Sequence, residues 1–222
     1  MKNSKRDAAT AYHEAGHAVV ASCLGRRVQG ATVVPNDESV GHIKIESEKP
    51  STVAAIVQGD RWRPSRLQAE KRVMVLQAGG VAQRWYNSYS VRRWHSQNDV
   101  NKCVDILRAY APDEKKQDVM PHYRLLHNWT THLIMQHWHE VEAVAKALLE
   151  HRKLSGTQIC DVIRTANVQS LLDAVEIVRQ GREGMELDED AQWMLTRAVR
   201  RAGQFWDRKP SPSTRARVLG AS

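Results

Sequence analysis

Two histidines and a glutamate, His13, Glu14 and His17, stand inside an otherwise apolar run of the chain. The surrounding residues from Asp7 to Leu24 predict a helix: Ala11, Ala15, Ala18, Val19 and Ser22 recur at helical spacing, and Gly25 follows as a stop. Imidazoles and a carboxylate set between Ala11 and the run Ala18, Val19, Val20 and Ala21 would be costly to bury without partners. Four positions along a helix correspond to about 40° of rotation, so His13 and His17 project on one side and can share a partner. Whatever this chain folds into must be arranged around that helix face.

A metal ion is the partner that two such histidines suit best, and neutral imidazole suits zinc. Glu14 follows the first histidine, from where its carboxylate reaches a water on the ion without ligating the metal. Zinc lowers the pKa of that water toward about 7, so the pattern points to hydrolysis of a peptide bond with Glu14 as base. A catalytic zinc needs a third protein ligand, and the pattern alone does not select it. Glu46, Glu70, His95, Asp99 and Asp105 are all candidates, any of which could instead be a solvated residue or a helix N-cap, the N-cap being the alternative role for Asp99.

The rest of the chain reads as mostly helical. β-Branched residues from Val28 to Val34 and from Val40 to Glu46, with Pro35, Asn36 and Asp37 between them, predict a hairpin. Helices are expected over Leu67 to Tyr86, with Gly79 and Gly80 inviting close packing, and over Asn98 to Tyr110, with irregular chain before it. Two more should cover Val119 to His132 and Gln136 to His151, and Ser155 with Gln158 forms a capping-box pattern opening another. After a loop around Gly181 and Gly184, a last helix is expected from Asp188 to Gly203, and the basic tail from Asp207 reads as disordered. The fold class is therefore mostly α, of the α+β type, with a small sheet near the first helix.

Thr10 to Ser22 (TAYHEAGHAVVAS) closely resembles the zinc helix in the peptidase domain of FtsH-type AAA proteases, which also carry glycine at the fourth place of the motif. Leu76 to Gln83 (LQAGGVAQ) resembles that family's helix with paired glycines, and Ser96 to Cys103 (SQNDVNKC) resembles its segment bearing the aspartate ligand. Trp138 to Ile159 is similar to its late helix pair, so the likeness extends over roughly residues 7 to 163. The resemblance implies a zincin-like helical peptidase domain over 1–165, zinc as cofactor, and Asp99 as third ligand beside His13 and His17. Residues 166–206 would then be a helical extension, and 207–222 the tail. Two departures stand out: Gln83 replaces a usually acidic residue, and Arg92, Arg93, Trp94 and His95 replace small ones.

The sequence shows no glycine-lysine phosphate loop, so the expected activity is ATP-independent cleavage of unfolded or flexible proteins, with a separate ATPase or a homo-oligomer as the implied partner. The alternative is a zinc-containing adaptor that binds but does not cut. A net charge of +8, from 33 basic against 25 acidic residues, is spread along the chain without finger or helix-turn-helix spacing, so nucleic acid is not indicated. No run is apolar enough for a bilayer and MKNSKRD lacks a leader's apolar stretch, which predicts a cytoplasmic protein without membrane contact. Cys23, Cys103 and Cys160 are expected to be buried and inert, and the seven tryptophans to be core and interface residues.

Overall fold

The computed structural model describes residues 5–35, 41–46, 65–90, 93–110 and 119–182. Contacts divide the chain into two compact units, Met1–Ala166 and Asn167–Ser222. The first holds the elements that follow, except that the last helix runs past Ala166.

Helix α1 (Lys5–Cys23) is the centre of this unit. Ala11, Ala15, Ala18, Val19, Val20 and Ala21 are fully enclosed, a small-residue surface that lets neighbours approach on more than one side. Helix α2 (Arg66–Tyr86) lies against it and presents Val73, Ala78, Val81 and Ala82 to the same core. The approach is closest at Gly16, where a Cβ would stand 2.6 Å from both the Ala78 carbonyl oxygen and the Ala82 Cβ. The glycine of the HEAGH pattern is thus a packing requirement between two helices. Ser65 starts α2 with a reciprocal capping box: its hydroxyl accepts from the Gln68 N–H while the Gln68 side chain accepts from the Ser65 N–H.

The remaining helices are α3 (Arg93–Tyr110), α4 (Val119–Gln136), α5 (Trp138–His151) and α6 (Gly156–Arg182). Both α3 and α4 pack on α2, and α5 packs on α1 through Val141, Val144, Ala145 and Leu148. Helix α5 ends with Arg152 in the left-handed region at φ 63°, and its N–H donates to the Leu148 carbonyl. The turn sends the chain straight into a strand. The Ser155 and Gln158 side chains then cap α6 as the sequence indicates.

The sheet has three antiparallel strands in the order β2 (His42–Ile45), β1 (Val28–Thr32), β3 (Lys153–Ser155). The hairpin β1–β2 is the one read from the sequence, with Ala31 opposite Ile43. Strand β3 was not expected: three residues after a helix carry no alternation to recognise, and its pairing of Leu154 with Ala31 is set by tertiary position. The fold class expected from the sequence is the one observed, mostly helical with a small sheet beside α1.

Several boundaries differ from expectation. Helix α3 begins at Arg93, five residues before Asn98, so Asp99 lies in its second turn and is not an N-cap. Helix α6 continues through Gly181 to Arg182, because nothing local forces a break there. Cys160 is exposed and Cys23 half-buried, so only Cys103 meets the expectation of a buried thiol. Trp85 and Trp129 are about half exposed and do not belong to the core, whereas Trp138 packs on it beside Tyr12. The expected helix over 188–203 and the tail from 207 lie outside the described residues.

Candidate metal centre

The middle of α1 faces α2 and α3, and three potential ligands meet there. One donor atom from each of His13, His17 and Asp99 lies within 4.8 Å of the other two. The two Nε2 atoms are 3.0 Å apart, with the rings nearly perpendicular at 82°. Asp99 comes from α3, 82 residues further along the chain, and only the packing of α2 between the two helices brings it here.

The opposite ring nitrogens are fixed by hydrogen bonds to α2. His17 Nδ1 is 2.6 Å from the Val75 carbonyl oxygen, which can only accept, so this nitrogen carries the proton. His13 Nδ1 is 3.1 Å from Gln83 Oε1 and donates to it in the same way. Both Nε2 lone pairs are then directed at each other across 3.0 Å, an arrangement that needs a cation or a proton between them. Burial lowers the pKa of His17, which favours the neutral form that a metal ligand requires. A tetrahedral zinc with bonds of about 2.0–2.1 Å would set its nitrogen ligands roughly 3.3 Å apart. The donors and their spacing fit zinc.

Gly79 makes room for the pair. A Cβ there would stand 2.6 Å from His13 Nε2 and would crowd His17 Nε2 more closely still. Gly80 has open space where its Cβ would be, so the two adjacent glycines have different reasons to be present.

Glu14 is only 5% exposed. Burial, reinforced by the nearby Asp99 charge, pushes its carboxyl up to about 8. Asp99 is raised as well, chiefly by burial, against the opposing pull of His13 and Lys102. Two carboxyls in so enclosed a place are mutually unfavourable as anions, and a divalent cation would remove that conflict. Glu14 also borders the sheet edge: a Cβ added at Gly41 would lie 3.1 Å from Glu14 Oε1, just before β2 begins.

A pocket opens beside the histidines, lined by His13, Gln83, Arg84, Asp99, Tyr123 and His127. His127 Nδ1 is buried there without a hydrogen-bond partner. Cys103 lines the same pocket, and burial together with the Asp99 charge pushes its thiol up to about 12, which keeps it protonated and unreactive.

Of the other candidate ligands, Glu46 is exposed after β2, and Glu70 on α2 pairs with Arg66 at 3.0 Å and His122 at 3.1 Å. Asp105 is exposed on α3 near Arg108. None of the three groups with His13 and His17, and the His95 side chain lies outside the described residues. The sequence reading missed what Gln83 does. It marked the position as a departure, but an amide oxygen can accept the His13 proton as a carboxylate would.

No protein-family model matches the chain. It is 24% identical over 201 residues to an ATP-dependent zinc metalloprotease FtsH from Caulobacter vibrioides. The likeness is to a zinc metalloprotease, and it is distant. The match takes in 73% of this chain, which spans about 30% of the length of that relative.

Proposed function

We propose that this chain is a zinc metalloendopeptidase that hydrolyses peptide bonds in unfolded or flexible proteins, with His13, His17 and Asp99 as zinc ligands and Glu14 as catalytic base. The observation that carries the proposal is the facing pair of Nε2 atoms, 3.0 Å apart, with the Asp99 carboxylate within 4.8 Å of them. Zinc bound there supplies a Lewis acid that lowers the pKa of a water toward about 7 and polarises the scissile carbonyl.

The chain's own groups do the rest. Gln83 and the Val75 carbonyl hold the imidazoles in the tautomer that leaves Nε2 unprotonated. Glu14 takes the proton of the attacking water on its carboxylate and passes it to the leaving amine. The enclosed setting starts its pKa near 8, from where a neighbouring positive charge draws it down. A carboxyl poised in this way can both accept and return a proton near neutrality.

Strand β2 gives the reading its substrate class. Among the described residues it is an outer strand of the sheet, and it begins beside Glu14, so an extended peptide could add to its outer edge through main-chain hydrogen bonds. Such pairing suits a segment that is already unfolded, and the hydrolysis itself uses no nucleotide. The distant likeness to an ATP-dependent zinc metalloprotease agrees with the chemistry and leaves room for an unfolding partner. The test is incubation of the purified chain with denatured casein, with and without a zinc chelator. Cleavage that the chelator abolishes and added zinc restores is the expected result. A zinc-loaded chain that leaves casein and other unfolded proteins intact would make it a binding module instead.

A further inference from the structure

A second convergence of metal-binding side chains lies at the far end of α1. Cys23 is the last residue of that helix, and α5 starts beside it, with His137 at the N-cap and Glu140 in the first turn. One donor atom from each of Cys23, His137 and Glu140 lies within 4.8 Å of the other two. His137 Nδ1 is 2.8 Å from Glu140 Oε1, and His139 Nε2 is 3.8 Å from the same oxygen. Glu140 is only 3% exposed.

His137 occupies a position where Ser, Thr, Asp or Asn would cap the helix, yet its side chain makes no capping bond. The imidazole is turned instead toward a buried carboxylate and a thiol. A buried carboxylate requires compensating charge or hydrogen bonds, which the His137 imidazole 2.8 Å away can supply directly or through a cation shared with the thiol.

We propose that Cys23, His137 and Glu140 form a second metal site, specific for a thiophilic divalent ion such as zinc, which ties the end of α1 to the start of α5. Sulfur and imidazole donors select zinc or cobalt over magnesium or calcium, which prefer sets of oxygen ligands. Cys23 lies six residues beyond His17, about 9 Å along the helix, so a single ion cannot serve both groups. The second site therefore stands or falls independently of the peptidase reading.

The two sites differ in one spectroscopic respect. Only the second contains sulfur, so only it gives a sulfur-to-cobalt charge-transfer absorption in the near ultraviolet when the metal-free full chain is titrated with cobalt(II). The expected result is that absorption together with two bound ions per chain. Cys23→Ser should abolish the band and remove one ion, while Cys103→Ser and Cys160→Ser leave both unchanged. His137→Ala should also remove one ion, and far-ultraviolet dichroism verifies that each variant keeps its helices. One bound ion with the band retained would support the second site and count against the first. Absence of the band in the unsubstituted chain, or a band that survives Cys23→Ser, would overturn the proposal.

Discussion

Gly79→Ala and Gly80→Ala differ by one position on α2 and should have different effects. At Gly80 an added Cβ meets open space, so the change contributes only the higher helix propensity of alanine, up to about 1 kcal/mol. For a chain of this size that raises Tm by roughly 2–4 °C. At Gly79 the same methyl would stand 2.6 Å from His13 Nε2, whereas ordinary contact begins at 3.4 Å. The ring must therefore retreat by about 0.8 Å, several times the roughly 0.2 Å tolerance on a metal–ligand distance. Overpacking costs about 1–3 kcal/mol against the propensity gain of about 1, so metal-free Gly79→Ala should be unchanged or up to roughly 2 kcal/mol less stable. Its zinc affinity should fall at least about tenfold, as when groups supporting metal ligands are altered. Competition against a chromogenic chelator measures the affinity, and thermal unfolding of the metal-free proteins measures the stability. Gly79→Ala with unchanged zinc affinity, or Gly80→Ala no more stable than the unsubstituted chain, would refute this account of the two glycines.

Asp99→Asn should weaken zinc binding by one to two orders of magnitude in the same competition assay, since it removes the anionic donor; unchanged affinity would exclude Asp99 as a ligand. Gln83→Leu should cost about 10–100-fold in zinc affinity by releasing His13 Nδ1, whereas Gln83→Glu, which keeps an acceptor there, should retain binding. Glu14 gives the metal-free protein a pH dependence with a definite sign: its folded pKa of about 8 exceeds the ordinary 4.5. The stabilising effect of holding that proton is complete below pH 4.5 and is lost as pH rises through 8. Chemical unfolding of metal-free protein between pH 5 and 9 should therefore show a stability loss that Glu14→Gln lacks, and parallel curves for the two proteins would contradict the burial argument.

Much of this site could be read from the sequence because its constraints are local. His13, Glu14 and His17 lie on one helical turn, where spacing alone defines a shared face. The capping box at Ser155 was legible for the same reason, since a capping box is complete within four residues; the equally local one at Ser65 was not singled out. Asp99 was not legible from its surroundings. Its proximity to the histidines depends on α2 lying between α1 and α3, and resemblance to a known family selected it where spacing could not. The early start of α3 escaped notice because Arg93, Trp94 and His95 have only middling helix preference as a group and carry no clear cap. Strand β3 was missed because three residues contain too little periodicity to recognise. The cluster of Cys23, His137 and Glu140 gave no sequence signal, because its cysteine and histidine are 114 positions apart and meet only where α5 packs on α1.

The central claim is that Glu14 is the base for hydrolysis at a zinc site it does not itself hold. Cleavage of denatured casein by zinc-loaded Glu14→Gln, compared with the unsubstituted chain at equal and measured zinc content, tests this most directly. The account predicts full zinc occupancy at His13, His17 and Asp99 with cleavage reduced by several orders of magnitude. Cleavage at the unsubstituted rate with zinc in place would contradict it.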